Sequence, residues 1–204
     1  EEALRESEGK FRSLADQSPN MIFINKKGRI VYVNQKCEEV MGYKREEFYS
    51  PDFDFFTLIA PESMSLIKES FAKHLKGEDV RPYDYSLIKK NGERIEAINT
   101  SKLIQYEGEL AILGIVTDIT ERKRAEYSLR DNERFLQDIF NGIKDGISIL
   151  DRDLNVIRVN KWMERMYASE MPLVGKKCYK IYQKREFPCP YCPSIQTLET
   201  GEAH

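Results

Sequence analysis

Ile30-Val31-Tyr32-Val33-Asn34, with Cys37-Glu38-Glu39-Val40 two residues further on, returns as Val156-Ile157-Arg158-Val159-Asn160, with Met163-Glu164-Arg165-Met166 at the same spacing. Upstream, Leu4-Arg5-Glu6-Ser7-Glu8 returns as Leu129-Arg130-Asp131-Asn132-Glu133. The offset is 125 residues for the upstream pair (4 to 129) and 126 for the downstream pair (30 to 156). One inserted residue therefore keeps the copies in step. Solenoid repeats have periods of roughly 20–50 residues, so a repeat this long is a repeat of domains. Each copy reads as helix, strand, tight turn, strand, short helix.

Working outward from the first copy, residues 2–17 carry a helical pattern, with Leu4, Phe11, Leu14 and Ala15 on one face. Pro19 and Asn20 end it. Met21–Asn25 and Arg29–Asn34 read as strands joined by Lys26-Lys27-Gly28. Helical signals follow at Lys36–Met41, around Arg45–Tyr49, and at Pro61–Lys76, where Pro takes a favoured first position and Gly77 stops the run. Tyr83–Lys89 and Arg94–Leu103 flank Asn91-Gly92, a strong hairpin signal, and Leu110–Thr117 closes the set. Five strands with helices between the second and third predict an α+β fold, a five-stranded antiparallel sheet with helices on one face.

The second copy predicts a helix at Tyr127–Asn141, strands at Gly146–Leu150 and Asn155–Val159, and helices at Lys161–Ala168 and Ser194–Thr200. The sequence stops at His204, before three further strands of the pattern. Two strands alone are marginal in water, so this half is expected to be less rigid or to lean on a partner.

The 204 residues are 41% hydrophobic and 32% charged, with a net charge of -2, an ordinary globular balance that points to no nucleic acid and no anionic membrane surface. No apolar run approaches the ~20 residues of a membrane span, and no signal peptide opens the chain. With Glu in first place the sequence reads as part of a longer protein, expected in the cytoplasm, whose parent is free to carry a membrane anchor elsewhere.

Thr117-Asp118-Ile119-Thr120-Glu121-Arg122-Lys123-Arg124-Ala125-Glu126 resembles the D-I-T-E-R-K-x-A-E ending of PAS domains. Phe11-Arg12-Ser13-Leu14 followed by Ser18-Pro19 resembles their opening helix and first strand. Val33-Asn34, Gly42-Tyr43 and Lys90-Asn91-Gly92-Glu93-Arg94 fit the second strand, the short helix after it and the hairpin. The resemblance covers residues 3–126 fully and 127–204 in part. It divides the chain into an N-terminal helix over 1–20, a first PAS domain over 21–120, an amphipathic linker helix over 121–143, and a second PAS domain over 144–204 cut before its last three strands. It implies a sensory module of a signalling protein, most often a two-component histidine kinase. PAS domains bind haem, flavin, small organic acids, metals or nothing, so the signal stays open.

Asp118 and Thr120 stand where strand becomes helix, and a short polar side chain there can cap the helix by accepting a backbone N–H. Beyond them Ala125, Leu129, Asn132, Leu136, Ile139 and Ile143 recur at spacings of 4, 3, 4, 3 and 4, a heptad seam with one polar position. Such a seam suits a parallel homodimer that passes a shift of the sheet to a downstream kinase or other output domain. The simpler alternative is an amphipathic helix that covers its own sheet.

Candidate lining for a ligand in the first module is Ile24, Val33, Met41, Phe56, Ile67, Phe71, His74, Ile95 and Ile115, on the resemblance alone; apolar residues at these periods also make an ordinary core. The occupant stays unassigned, with a small organic ligand among the candidates. His74 lies late on the 61–76 helix, where some PAS oxygen sensors ligate haem, but its neighbours do not match those sensors and a helix-end cation explains it as well. The photoactive flavin subfamily needs a cysteine near residues 51–60, and none is there. Cys37 reads as a buried hydrophobe.

Cys178 and Cys189-Pro190-Tyr191-Cys192 lie in a Pro-rich stretch. The C-x-x-C turn has the spacing of a zinc knuckle, with Cys178 as a third ligand and His204 as an incidental fourth. The same pair can form a redox disulfide, or the thiols can simply pack. Two histidines in all, with no Gly-rich nucleotide loop and no Ser/His/Asp arrangement, point away from catalysis in this segment. Three functions follow: a sensor and transmitter region of a histidine kinase; a ligand-free dimerisation module of a transcription regulator or cyclic-dinucleotide enzyme; and a redox or metal sensor built on the cysteines.

Overall fold

A computed structural model describes residues 2–204, with side chains from residue 9 onward; the side chain of Leu4 lies outside the described residues. The chain divides into two compact units, one up to Glu126 and one from Tyr127.

In the first unit, α1 (Glu2–Asp16) leads into the hairpin β1 (Met21–Lys26) and β2 (Arg29–Val33). Then come α2 (Gln35–Met41), α3 (Arg45–Phe48), 3-10 turns at Phe55–Leu58 and Pro61–Ser63, and α4 (Met64–Leu75). β3 (Tyr83–Ile88), β4 (Arg94–Tyr106) and β5 (Glu109–Asp118) complete one antiparallel sheet in the order β2-β1-β5-β4-β3. The expected five-stranded architecture is present.

Alternation assigns the sheet's faces. Met21, Val33, Tyr85, Leu87, Ile95, Ala97 and Val116 are buried with Cys37 and Met41 of α2, Phe48 of α3 and Ile67 of α4. On the opposite face Ile24, Tyr32 and Ala111 are buried with Ala15 of α1, and the rings of Phe11 and Tyr32 lie 5.5 Å apart. The opening helix thus shields part of the face that the main helical layer leaves bare.

The helix expected over 61–76 opens as the 3-10 turn Pro61–Ser63, which runs directly into α4. Ser63 is drawn onto β3, where its hydroxyl accepts from the Ser86 N–H at 3.0 Å, and the Ala60 N–H donates to the Ser86 carbonyl at 3.0 Å. At the strand–helix turn, Asn34 is fully buried. Its Oδ1 accepts from the Ile22 N–H at 2.9 Å, and its Nδ2 donates to the carbonyls of Ala15 at 2.8 Å and Asn20 at 2.9 Å.

α5 (Thr120–Gly142) is one continuous helix that begins immediately after β5, at the Asp118–Thr120 corner, and spans both the 127–141 segment and the 121–143 linker read from the sequence. In the second unit β6 (Ser148–Leu150) pairs with β7 (Val156–Val159), followed by α6 (Lys161–Met166), α7 (Cys178–Gln183) and α8 (Pro193–Thr200). Val156, Leu173 and Ile181 form its core. Asn160 repeats the device of Asn34: it is fully buried, its Oδ1 accepts from the Ile147 N–H at 3.1 Å, and its Nδ2 donates to the Asp145 carbonyl at 2.8 Å.

Candidate functional site: an apolar cavity and a strand-to-helix corner

Between the inner face of the first sheet and its helical cover lies a cavity of about 100 Å³. The sheet contributes Met21, Phe23, Val33, Tyr83, Tyr85 and Val116, among others, and the cover contributes Cys37, Met41, Phe48, Phe55 and Ile67. None of its lining residues carries a formal charge. The Cys37 thiol, pushed up to about 12 by burial, donates toward the Ile22 carbonyl and Asn34 Oδ1 and stays a neutral thiol at physiological pH. Burial likewise raises Tyr85 and Tyr83, holding both phenols neutral.

Asn99 is the polar exception in the wall. It sits on β4 in register with Tyr83, in the inward row Ile95, Ala97, Asn99, Ser101. Its Nδ2 donates to the Tyr83 hydroxyl at 2.7 Å, and its Oδ1 is buried without a hydrogen-bond partner. A polar residue inside an inward-facing strand row is a legible signal in the sequence, although the aromatic and apolar composition of the surroundings hid it.

Of the residues proposed as lining, Val33, Met41 and Ile67 reach this cavity. Ile24 does not, because it lies on the opposite sheet face against Ala15. Ile115 shares that outer face and is exposed; the inward residue next to it is Val116. Ile95 is buried in the core and Phe56 packs against it, but neither reaches the cavity wall. Phe71 and His74 line a separate cleft with Leu103 and Ile112. His74 is buried, its Nε2 lies 2.8 Å from the Ser101 hydroxyl, and desolvation lowers its pKa against a smaller opposing pull from Asp79.

The strand-to-helix corner is built from five hydrogen bonds, one of them a longer donation from the Thr120 hydroxyl to the Glu96 carbonyl at 3.4 Å. Asp118 Oδ1 accepts from the Thr120 N–H at 2.8 Å, and the Thr120 hydroxyl accepts from the Glu96 N–H at 2.9 Å. The Ile119 N–H donates to the Glu96 carbonyl at 2.8 Å, and the Lys123 N–H donates to the Ile119 carbonyl at 2.9 Å. Ile119 itself is buried. The first turn of α5 is thereby stitched to β4. Beyond it Ala125, Leu129, Asn132, Leu136 and Ile139 are all exposed, and α5 has no buried residue.

Cys178 opens α7, Cys192 precedes the first turn of α8, and Cys189 lies in the turn between. All are free thiols. Burial, and after it the neighbouring Cys192, raise the Cys178 pKa. Among the described residues no group of three His, Cys, Asp or Glu side chains is placed to hold a metal ion.

Two family models, each described as a PAS domain, match residues 19–121 and 134–201. The methyl sulfide methyltransferase-associated sensor of Methanosarcina acetivorans is 32% identical over 133 residues, 64% of this chain and 13% of that protein. Sporulation kinase E of Bacillus subtilis is 28% identical over 158 residues, 77% of this chain and 21% of that protein. The chain therefore spans a small part of the curated relatives it matches. Among solved structures, an RNA-binding light-oxygen-voltage receptor superposes with a TM-score of 0.50 at 18% identity, over 62% of this chain and 37% of that one, a likeness of fold.

Proposed function

Because the chain belongs to the PAS domain family, as two consecutive modules, we propose that it is the sensory and signal-transmitting region of a two-component histidine kinase. The first module takes a small ligand in its apolar cavity, and α5 carries the response outward as a parallel helix pair formed with a second copy of the chain. The observation that carries this reading is the continuity of cavity and helix. β5 lines the cavity through Val116 and, two residues past its last inward position, becomes the corner at Asp118–Thr120. A displacement of β5 or β4 by an occupant is delivered directly to the first turn of α5. The exposed heptad seam supports pairing, since apolar side chains at this spacing are stabilised by a partner helix. Asn132 would set the register of that pair. The kinase assignment is supported by the likeness to Sporulation kinase E.

The test is sedimentation equilibrium of the whole chain, combined with distance measurement between spin labels at Arg130 of the two copies. A dimer whose label distance shifts when the cavity is loaded is expected. A monomer at all accessible concentrations would overturn the helix-pair reading.

A further inference from the structure

We infer that Cys189 and Cys192 form a thiol–disulfide pair, oxidised by a low-molecular-weight disulfide and reduced again by a low-molecular-weight thiol. The second module thereby carries a redox input of its own, separate from the cavity of the first.

The turn supplies the geometry. Pro190 and Tyr191 are turn residues, so Cys189 and Cys192 stand at the two ends of a four-residue turn. The ends of such a turn lie within about 7 Å, Cα to Cα, and a disulfide needs roughly 4.4–6.8 Å. Pro190 occupies the second position, where its fixed φ favours the turn and holds the two cysteines together while both are still thiols. Cys192 is also the cap residue of α8, and its carbonyl accepts from the Gln196 N–H at 3.1 Å. A bond at its sulfur therefore acts on the first turn of that helix.

Exposure and acidity separate the roles of the three thiols. Cys189 is half-buried and Cys192 is buried, so a small disulfide reaches Cys189 first. Burial, and after it the neighbouring Cys192, raise the pKa of Cys178. Its sulfur stays protonated, and the protonated thiol is not the nucleophile. The Cys189 thiolate attacks one sulfur of the small disulfide RSSR, forming a mixed disulfide and expelling RS⁻. The Cys192 thiolate then attacks the Cys189 sulfur, closes the internal bond and expels the second RS⁻. Two protons and two electrons leave the protein, and two molecules of RSH form.

A metal site is the competing use of these thiols. Among the described residues no three His, Cys, Asp or Glu side chains are grouped to hold an ion. His204 Nε2 lies 2.8 Å from the Thr200 hydroxyl, past the C-terminal end of α8, whereas Cys192 stands at the start of that helix.

The experiment equilibrates the whole chain in glutathione buffers from fully reduced to fully oxidised, alkylates the remaining thiols after unfolding, and maps them by mass spectrometry. A Cys189–Cys192 bond that forms and reverses is expected, with Cys178 alkylated throughout. Cys192→Ser should lose the internal bond and hold one glutathione on Cys189, and Cys178→Ser should leave the redox titration unchanged. Oxidation should shift the amide resonances of residues 194–200 and leave those of residues 21–118 in place. A bond from Cys178 to either partner, no reversible bond between Cys189 and Cys192, or one zinc ion per chain retained by the reduced protein would overturn the inference. None of these outcomes touches the helix-pair reading, which sedimentation decides. Should Cys192→Ser fail to fold, the mapping of the unaltered chain still decides.

Discussion

The Thr120 hydroxyl accepts a hydrogen bond from the Glu96 N–H at 2.9 Å while the Glu96 carbonyl accepts from the Ile119 N–H at 2.8 Å, so one residue of β4 holds both ends of the corner where β5 becomes α5. Thr120→Val keeps the shape of the side chain and removes the hydroxyl, with its short acceptor bond from the Glu96 N–H and its longer donation to the Glu96 carbonyl. It is expected to cost about 1 kcal/mol in urea unfolding, the usual worth of one such bond, and Thr120→Ser should cost far less. Because the lost bond ties helix to sheet, the valine variant should also show faster amide exchange in the first turn of α5 than elsewhere.

Leu129 is exposed on α5, so within one chain it has little to lose. Leu129→Asp should leave the thermal unfolding of a monomer within about 0.5 kcal/mol of the unaltered protein, as ordinary surface changes do. In a helix pair the same change places two carboxylates at the seam. Circular dichroism and sedimentation together check this: native helix content with a shift from dimer to monomer is expected.

Asn34 and Asn160 perform the same task in their respective units, each tying a strand to the segment before it through both amide ends. Asn34→Ala leaves at least three backbone groups without their partner and should destabilise the first unit by about 3 kcal/mol. Asn160→Ala should melt the second unit while residues before 120 keep their amide protection, which residue-resolved hydrogen exchange reads directly.

His74 has its pKa lowered from 6.5 by burial, so the unfolded chain takes up the proton at a higher pH than the folded one. Stability from this group is intact above pH 6.5 and is lost as pH falls below it, by at most ~1.4 kcal/mol per pH unit for one proton. His74→Gln should flatten that slope between pH 6.5 and 5, above the range where most carboxylates titrate. Denaturant melts of both proteins across that window check the sign.

Gly114 lies opposite Phe23 across the β1–β5 ladder, and a methyl group at 114 would overlap the Phe23 ring. Gly114→Ala should drive that ring into the cavity it already borders. The expected result is a folded protein that takes up less xenon in this cavity than the unaltered chain does, read by xenon NMR.

The repeat, the strand alternation and the Asn-Gly turn are local or periodic features, so the sequence alone determined the two modules, the five strands and their antiparallel pairing. Asn34 and Asn160 stood out for the same reason, since equivalent turns need equivalent hydrogen bonds. The face that each strand turns toward the helices was decided only by tertiary structure. Period-2 alternation says that Ile115 and Val116 point opposite ways but not which way is inward; packing of Cys37, Phe48 and Ile67 against the Val116 side settled it, and excluded Ile24 with Ile115. The cavity itself lies where large rings of four separate segments (Phe23 on β1, Phe48 on α3, Phe55 in the 3-10 turn, Tyr83 and Tyr85 on β3) meet without filling the space between them. A void is the absence of contacts among residues far apart in the chain. It has no local signature.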